Sequence, residues 1–196
     1  MSRAERNPWT VLETRQIYEN PWLTVVEHKV LTPRGNPGIY GVVSPKKLAL
    51  GVVPFTPEGQ IVLVGQYRFP LARYSWEIAE GGGDKDLPPQ VSAARELKEE
   101  TGYEASGWQE LLRLDLSNSV TDESAVVFVA WDLKPGPAAP DDTEELSLRH
   151  VSFREGLEMV MRGEITDAIS VAALLKVEAL GARGALPAEV LRHVKG

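Results

Sequence analysis

The 196-residue sequence contains no cysteine, which excludes disulfide scaffolds, thiol nucleophiles and zinc sites built from thiolates. It also lacks long hydrophobic runs. The longest apolar stretches, at residues 48–55 and 125–131, are far shorter than the roughly 20 residues of a membrane-spanning helix. Because the N-terminus has no apolar signal-peptide core, we expect a cytoplasmic protein without a membrane partner.

Basic residues are in the minority, with 21 Lys and Arg against 28 Asp and Glu and a formal net charge of −7. An acidic chain is poorly suited to holding nucleic-acid phosphates by itself, so we expect no nucleic-acid partner. The three histidines are scattered without the spacing of metal ligands. The remaining composition is that of a globular protein that buries a core, because 43% of the residues are hydrophobic and 25% are charged.

Strand and helix patterns alternate through most of the chain, which predicts an α/β fold with helices packed against a mixed sheet. The first 45 residues predict strands alone, so we expect a small N-terminal β domain at 1–45 and a main domain at 46–196. The strands are predicted at 23–30, 39–43, 48–55, 60–67, 74–78, 109–116, 124–133 and 148–153. Helices are predicted at 87–101, 154–162, 167–180 and from Pro187, and a Pro-rich acidic loop at 134–145.

The helix at 87–101 follows a run of three glycines, and we expect Asp86 to cap it and Gly102 to end it. A helical wheel predicts that one apolar face packs on the sheet, formed by Leu87, Val91, Ala94 and Leu97. Glu96 and Glu100 lie one turn apart on the opposite side, with Glu99 beside them.

This acidic face has two interpretations. It is the solvent-exposed side of an amphipathic helix, or its carboxylates and the glycine backbone form an all-oxygen site for Mg²⁺ or Mn²⁺. Like charges at i and i+4 destabilise a helix by about 0.2–0.5 kcal/mol, and only Arg95 is placed to offset them. This cost favours the metal site.

At these residues the sequence resembles the Nudix family, whose box has the pattern G-x5-E-x7-R-E-U-x-E-E-x-G-U, with U a bulky apolar residue. Every fixed position except the first Glu is matched, by Gly81, Arg95, Glu96, Leu97, Glu99, Glu100, Gly102 and Tyr103. Residues 66–68 and 76–81, before the box, resemble the ADP-ribose pyrophosphatase branch. Residues 163–175 resemble that branch's C-terminal helix. The resemblance implies a Nudix-type α/β/α sandwich with a small N-terminal antiparallel β domain.

One box position departs from the family, because Leu87 stands where the first Glu belongs. In the family, that Glu helps to hold the box arginine and the loop. We expect Leu87 to pack with the apolar face and Asp84 or Asp86 to be the available substitutes beside Arg95. The three helix carboxylates are intact, so the resemblance still implies an active enzyme.

The resemblance implies hydrolysis of the pyrophosphate bond in a nucleoside diphosphate derivative, with ADP-ribose giving AMP and ribose 5-phosphate. Glu96, Glu99, Glu100 and the main-chain carbonyl of Glu80 would hold Mg²⁺, Mn²⁺ or Zn²⁺, with more than one ion per site. An acidic protein can bind a diphosphate only with such cations, which would polarise the phosphate and activate water.

Three further roles follow from the same resemblance. Glu123, in the loop after the box, would be the base that activates water, although an acidic residue in such a turn is often only solvated. Arg68 would contact substrate phosphate, or be a surface arginine at a strand end. Glu77 would orient the pocket or a ribose. The branch also implies a homodimer in which the N-terminal strands complete the pocket.

The family pattern leaves the substrate open. Residues 117–119 read Ser-Asn-Ser where the branch usually has Ser-Pro-Gly, so FAD, NADH and GDP-mannose are alternatives to ADP-ribose. Leu87 raises an alternative of another class, a nucleotide-sugar sensor or binding module without turnover. The third alternative is a housekeeping module without a small-molecule site, whose acidic helix is merely solvated.

Overall fold

The computed structural model describes residues 6–139 and 145–195, and these divide into two compact units. The first unit runs through Lys47 and also takes in Asp115–Ser124, a segment far along the chain. The second unit contains Leu48–Leu114 and the chain from Ala125 onward. The domain boundary at residue 45 stays a prediction, and part of the loop at 134–145 lies outside the described residues.

The first unit is a three-stranded antiparallel sheet in the order β1-β2-β3. Its strands are β1 (Thr10–Glu19), β2 (Leu23–Leu31) and β3 (Pro37–Pro45). The turn between β1 and β2 is fixed by Asn20, whose side-chain oxygen accepts hydrogen bonds from the amides of Trp22 and Leu23, both at 2.8 Å. The sequence pattern predicted the second and third strands, but not β1 individually.

Two further sheets lie in the second unit, in the orders β10-β5-β6 and β7-β4-β9-β8. The strands are β4 (Leu48–Pro54), β5 (Gln60–Arg68), β6 (Arg73–Glu77), β7 (Ala79–Gly83), β8 (Tyr103–Asp115), β9 (Ser124–Pro135) and β10 (Ser147–Ser152). The helices are α1 (Pro89–Thr101), α2 (Phe153–Met161), α3 (Ala168–Ala182) and α4 (Ala188–Val194). β4 and β9 are parallel, whereas β4 and β7 are antiparallel, so the predicted mixed sheet is confirmed.

The central strand β4 has a helix on each face. Leu50 and Val52 share a buried cluster with Ala93 and Leu97 of α1. Gly51 lies between these two residues and faces the opposite side of the sheet, because side chains alternate along a strand. A Cβ on Gly51 would lie 2.9 Å from the Cγ2 atom of Ile169 in α3. α1 and α3 therefore cover opposite faces, and the expected α/β/α sandwich is confirmed. Within the described residues, no helix is both long and apolar enough to cross a bilayer.

The glycine run before α1 is part of a strand. Gly81, Gly82 and Gly83 lie in β7 and pair with Leu50, Ala49 and Leu48 of β4. A Cβ at Gly83 would lie 3.0 Å from the Cβ atom of Ser92 and 2.6 Å from a Leu50 methyl carbon. The glycines therefore allow α1 to lie close against a strand.

Candidate active site

α1 begins two residues later than the predicted helix, and the face that it buries differs in part from the predicted one. The N-cap position is Pro88, so the expected cap by Asp86 is wrong. Leu87 and Val91, expected to pack, are about half exposed, and Ser92 and Ala93 are buried in their place. The expected end of the helix is confirmed, because Gly102 adopts a left-handed conformation with φ 74°.

Glu100 lies on the packed side of α1, so its predicted place on the side of the helix opposite the sheet is wrong. Only 3% of the residue is exposed. Its Oε2 atom accepts a hydrogen bond of 3.0 Å from the backbone amide of Glu80 in β7. A carboxylate so enclosed needs such a donor, because burial without one is costly. Glu100 therefore faces the strand that carries the expected carbonyl ligand.

Glu96 also faces β7, one helical turn before Glu100. A Cβ at Gly81 would lie 2.2 Å from the carboxyl carbon of Glu96, so the missing side chain of Gly81 is what makes room for this carboxylate. The structure thus brings together Glu80, Gly81, Glu96 and Glu100.

Arg95 supplies the positive charge beside this group. It donates hydrogen bonds to Glu96 Oε1 at 2.6 Å, to Glu99 Oε2 at 2.7 Å and to the carbonyl of Gly82 at 3.3 Å. The bond to Gly82 ties the helix to β7 without the missing box glutamate. Among the described residues, no three acidic or histidine side chains already converge as a metal-binding group. Glu96 and Glu99 instead share this guanidinium.

Glu80 is linked to α3 by its side chain. Glu80 Oε1 accepts a 2.7 Å hydrogen bond from the hydroxyl of Ser170, and that hydroxyl oxygen accepts the amide of Ile78 at 3.0 Å. Burial raises the pKa of Glu80 well above its usual range, and the charge and hydrogen bond of Asp167 raise it further. Asp167 also caps α3 through Ser170, at 2.8 Å. No sequence pattern indicates this network, because Glu80 and Ser170 lie 90 residues apart.

Arg68 and Glu77 form a two-point ion pair between β5 and β6. The Nε atom of Arg68 donates to both carboxylate oxygens of Glu77, at 3.0 and 3.1 Å, and Nη2 donates to Oε2. Burial lowers the pKa of Arg68, but the hydrogen bond and charge of Glu77, with the charges of Glu80 and Glu100, outweigh it and raise that pKa.

A cleft of about 310 Å³ lies beside this pair. Its lining residues are Arg68, Pro70, Leu71, Arg73, Ser75, Glu77, Thr166, Asp167 and Ala168. The sequence predicted Arg68 and Glu77 there but missed Arg73, Thr166 and Asp167. Asp167 and Thr166 lie in the segment that resembles the branch's C-terminal helix, and this was the available signal.

Glu123 belongs to the first unit, within the segment Asp115–Ser124. The loop that carries it is fixed to β3, because Val43 donates its amide to the carbonyl of Val120 at 2.9 Å and Ser44 bonds Asp122 at 2.8 Å. Glu123 itself donates its amide to Thr121 Oγ1 at 3.1 Å. Its role as the base stays a prediction.

Comparison with known proteins gives the family. Residues 45–171 match the model of the NUDIX domain. The chain belongs to the NUDIX family. The part before this NUDIX domain, residues 9–43, matches the nucleoside diphosphate sugar hydrolase N-terminal domain. The family expected from the box is therefore confirmed.

Relatives of this NUDIX protein carry several names. An ADP-ribose pyrophosphatase of Mycobacterium tuberculosis is 36% identical over 135 residues, which cover 67% of this chain and 65% of the relative. A methanol dehydrogenase activator of Bacillus methanolicus is 32% identical over 165 residues, 83% of this chain and 89% of the relative. A crystal structure of an ADP compounds hydrolase has TM-score 0.80 at 23% identity, covering 91% of this chain and 97% of that one. This last similarity confirms the fold.

Gly81→Ala tests the contact between β7 and Glu96. Because the new Cβ would lie 2.2 Å from the Glu96 carboxyl carbon, the carboxylate must move, while the flexible side chain lets the fold persist. We expect Mn²⁺, measured by electron paramagnetic resonance, to bind about 10–100-fold more weakly. Gly41→Ala in β3 is the matched control, since a Cβ there meets nothing within 4 Å. Equal Mn²⁺ affinity in Gly81→Ala and the parent would contradict this expectation.

Proposed function

We propose that this protein hydrolyses the pyrophosphate bond of a nucleoside diphosphate derivative, with ADP-ribose as the first choice and AMP and ribose 5-phosphate as products. The observation that carries the proposal is the placement of Glu96 and Glu100, one turn apart on α1, against Glu80 and Gly81 of β7. The NUDIX domain and the relative named ADP-ribose pyrophosphatase support it. FAD, NADH and GDP-mannose are the alternative substrates.

The donor set suits a hard divalent cation, because it consists of carboxylates and main-chain oxygen. Glu96, Glu99, Glu100 and the carbonyl of Glu80 would hold Mg²⁺, Mn²⁺ or Zn²⁺, and the carboxylates suffice for more than one ion. When bound, such ions neutralise diphosphate charge and lower the pKa of a bound water. Glu96 and Glu99, which form ion pairs with Arg95 in this structure, would then bind the cations in its place.

The remaining roles fall on residues outside the metal site. Glu123 would accept the proton of the attacking water, and Arg68 with Glu77 would orient the substrate in the cleft that they line. Arg68 can do this only from the position in which Glu77 holds it, because both oxygens of that carboxylate bond its Nε atom. Arg68 is thereby pre-organised, which lowers the entropic cost of binding.

The protein is also proposed to be a homodimer. β1 is an edge strand of its sheet, and several large apolar side chains on and beside it are exposed, namely Trp9, Val11, Leu12, Ile17 and Tyr18. An exposed edge with apolar side chains is a pairing surface that proteins usually cover. A monomeric mass by light scattering would contradict the dimer.

Purified protein should convert ADP-ribose to AMP in the presence of Mg²⁺ or Mn²⁺ and not in EDTA, as followed by chromatography. FAD, NADH and GDP-mannose at matched concentrations rank the substrates by kcat/KM. The competing proposal, a sensor without turnover, rests on Leu87 in the box. Tight ADP-ribose binding with no AMP under any metal would favour the sensor and defeat the hydrolase.

A further inference from the structure

Arg73 is a second arginine of the cleft that contains Arg68. The two residues are directly paired, as the last partners of β5 and β6 before the turn that joins these strands. That turn, Phe69–Leu71, ends at Ala72 in a left-handed conformation with φ 51°. Because paired residues of antiparallel strands point to the same side of the sheet, both side chains line the same cleft.

The two guanidinium groups differ in what they contact. Arg68 already has an anionic partner, because its Nε atom donates to both oxygens of the buried carboxylate of Glu77. Arg73 is exposed, and its Nη2 atom donates to a neutral partner, the hydroxyl of Thr166, at 3.0 Å. Because the hydroxyl of Thr166 carries no charge, an anion arriving at Arg73 would add Coulomb attraction to the hydrogen bond and would therefore displace Thr166.

Arg73 also decides the formal charge of the cleft. Its other ionisable lining residues are Arg68, Glu77 and Asp167, which together carry one negative charge more than positive. With Arg73, the formal charges of the lining residues sum to zero. Without it, a diphosphate would approach a cleft of net negative charge, which would repel it.

We propose that Arg73 binds a phosphate group of the substrate's diphosphate, exchanging Thr166 for a phosphate oxygen. The inference rests on the proposed pyrophosphate hydrolysis and adds to it a substrate-binding residue. The guanidinium fork matches the geometry of phosphate oxygens, and the diphosphate is the anionic part that the candidate substrates share. The contact of Arg73 is accordingly common to all of these substrates.

The test compares Arg73→Gln with Arg149→Gln. Arg149 is the matched control because it lies on the same sheet but on the other face, with its guanidinium 5.8 Å from the centre of the Trp76 ring. We expect Arg73→Gln to raise KM roughly ten- to a hundredfold for ADP-ribose, FAD and GDP-mannose alike, with kcat within about threefold of the parent. Arg73→Lys should recover part of the loss, because lysine keeps the charge but not the guanidinium fork, and Arg149→Gln should leave KM unchanged. Circular dichroism melting would verify that all variants fold.

The outcomes separate this inference from the function on which it rests. A parent protein that hydrolyses none of the substrates overturns both. A parent that hydrolyses them, with KM unchanged in Arg73→Gln, overturns the role of Arg73 alone. A rise in KM for one substrate and not the others would place Arg73 on the variable group of that substrate and would overturn the phosphate assignment.

Discussion

Glu100→Gln should lower kcat for ADP-ribose hydrolysis by about a thousandfold while the protein remains folded. A divalent ion contributes several kcal/mol of charge stabilisation to phosphoryl transfer, and each 1.36 kcal/mol is a factor of about ten in rate. Glutamine keeps an oxygen that can accept the amide of Glu80, the hydrogen bond that Glu100 makes at 3.0 Å. It removes the negative charge that the ion requires.

The control for this variant is Glu104→Gln. Glu104 follows α1 in β8, is exposed and pairs with Lys98, so its replacement removes one negative charge close to the helix without touching the face packed on β7. We expect Glu104→Gln to keep the activity of the parent. Mn²⁺ binding by electron paramagnetic resonance should fall in parallel with kcat in Glu100→Gln. If Glu100→Gln hydrolyses ADP-ribose as fast as the parent, Glu100 is not a metal ligand.

The sequence predicted three strands of the second unit well, where packing follows from apolar runs. The predicted strands at 48–55, 60–67 and 124–133 differ from β4, β5 and β9 by one or two residues at their ends. Each is a short run of apolar residues, buried on both faces in the structure. For such segments, local pattern and tertiary environment agree.

β7 was not predictable in this way, because three of its five residues are glycines. Glycine has low strand propensity, so the pairing with β4 and the close approach of α1 stabilise the strand. Only part of the predicted apolar face of α1 packs on the sheet, because Leu97 is fully buried but Leu87 and Val91 are not. The residue of α1 that lies against Gly83 is the small Ser92, whose Cβ atom would be 3.0 Å from a Cβ at Gly83.

The residues of the candidate site also differ in whether a local sequence pattern predicts them. Glu96 and Glu100 were predictable because the box encodes them within one helix. Arg73, Thr166 and Ser170 were not, since their contacts join residues about 90 positions apart and depend on how α3 lies beside β6 and β7. A single sequence contains no local signal for such pairs.

Arg68→Met should lower the free energy of unfolding by about 3 kcal/mol. Breaking a buried ion pair by removing one partner costs about 3–5 kcal/mol, and the lower end applies because the side chain of Arg68 is 36% exposed. Methionine preserves most of the apolar stem and leaves the carboxylate of Glu77 enclosed without its cation. Urea denaturation with a fixed m-value measures the loss.

Glu77→Gln should cost less, about 1 kcal/mol, because the two ends of the pair differ in exposure. Glu77 is 2% exposed, so its charge has no access to water when Arg68 is removed. Arg68 is partly solvated, and it can also keep a hydrogen bond to the glutamine oxygen when the charge of Glu77 is removed. The direction of this asymmetry follows from burial alone.

The double variant Arg68→Met/Glu77→Gln measures the coupling of the pair. With the cation and the anion both absent, no unpaired charge is buried, so the double variant should be more stable than Arg68→Met by about 1–2 kcal/mol. Additive losses would show that Arg68 and Glu77 stabilise the protein separately. If Arg68→Met loses less free energy of unfolding than Glu77→Gln, then Glu77 finds another partner. Arg73 lines the same cleft, so it would be the next residue to substitute.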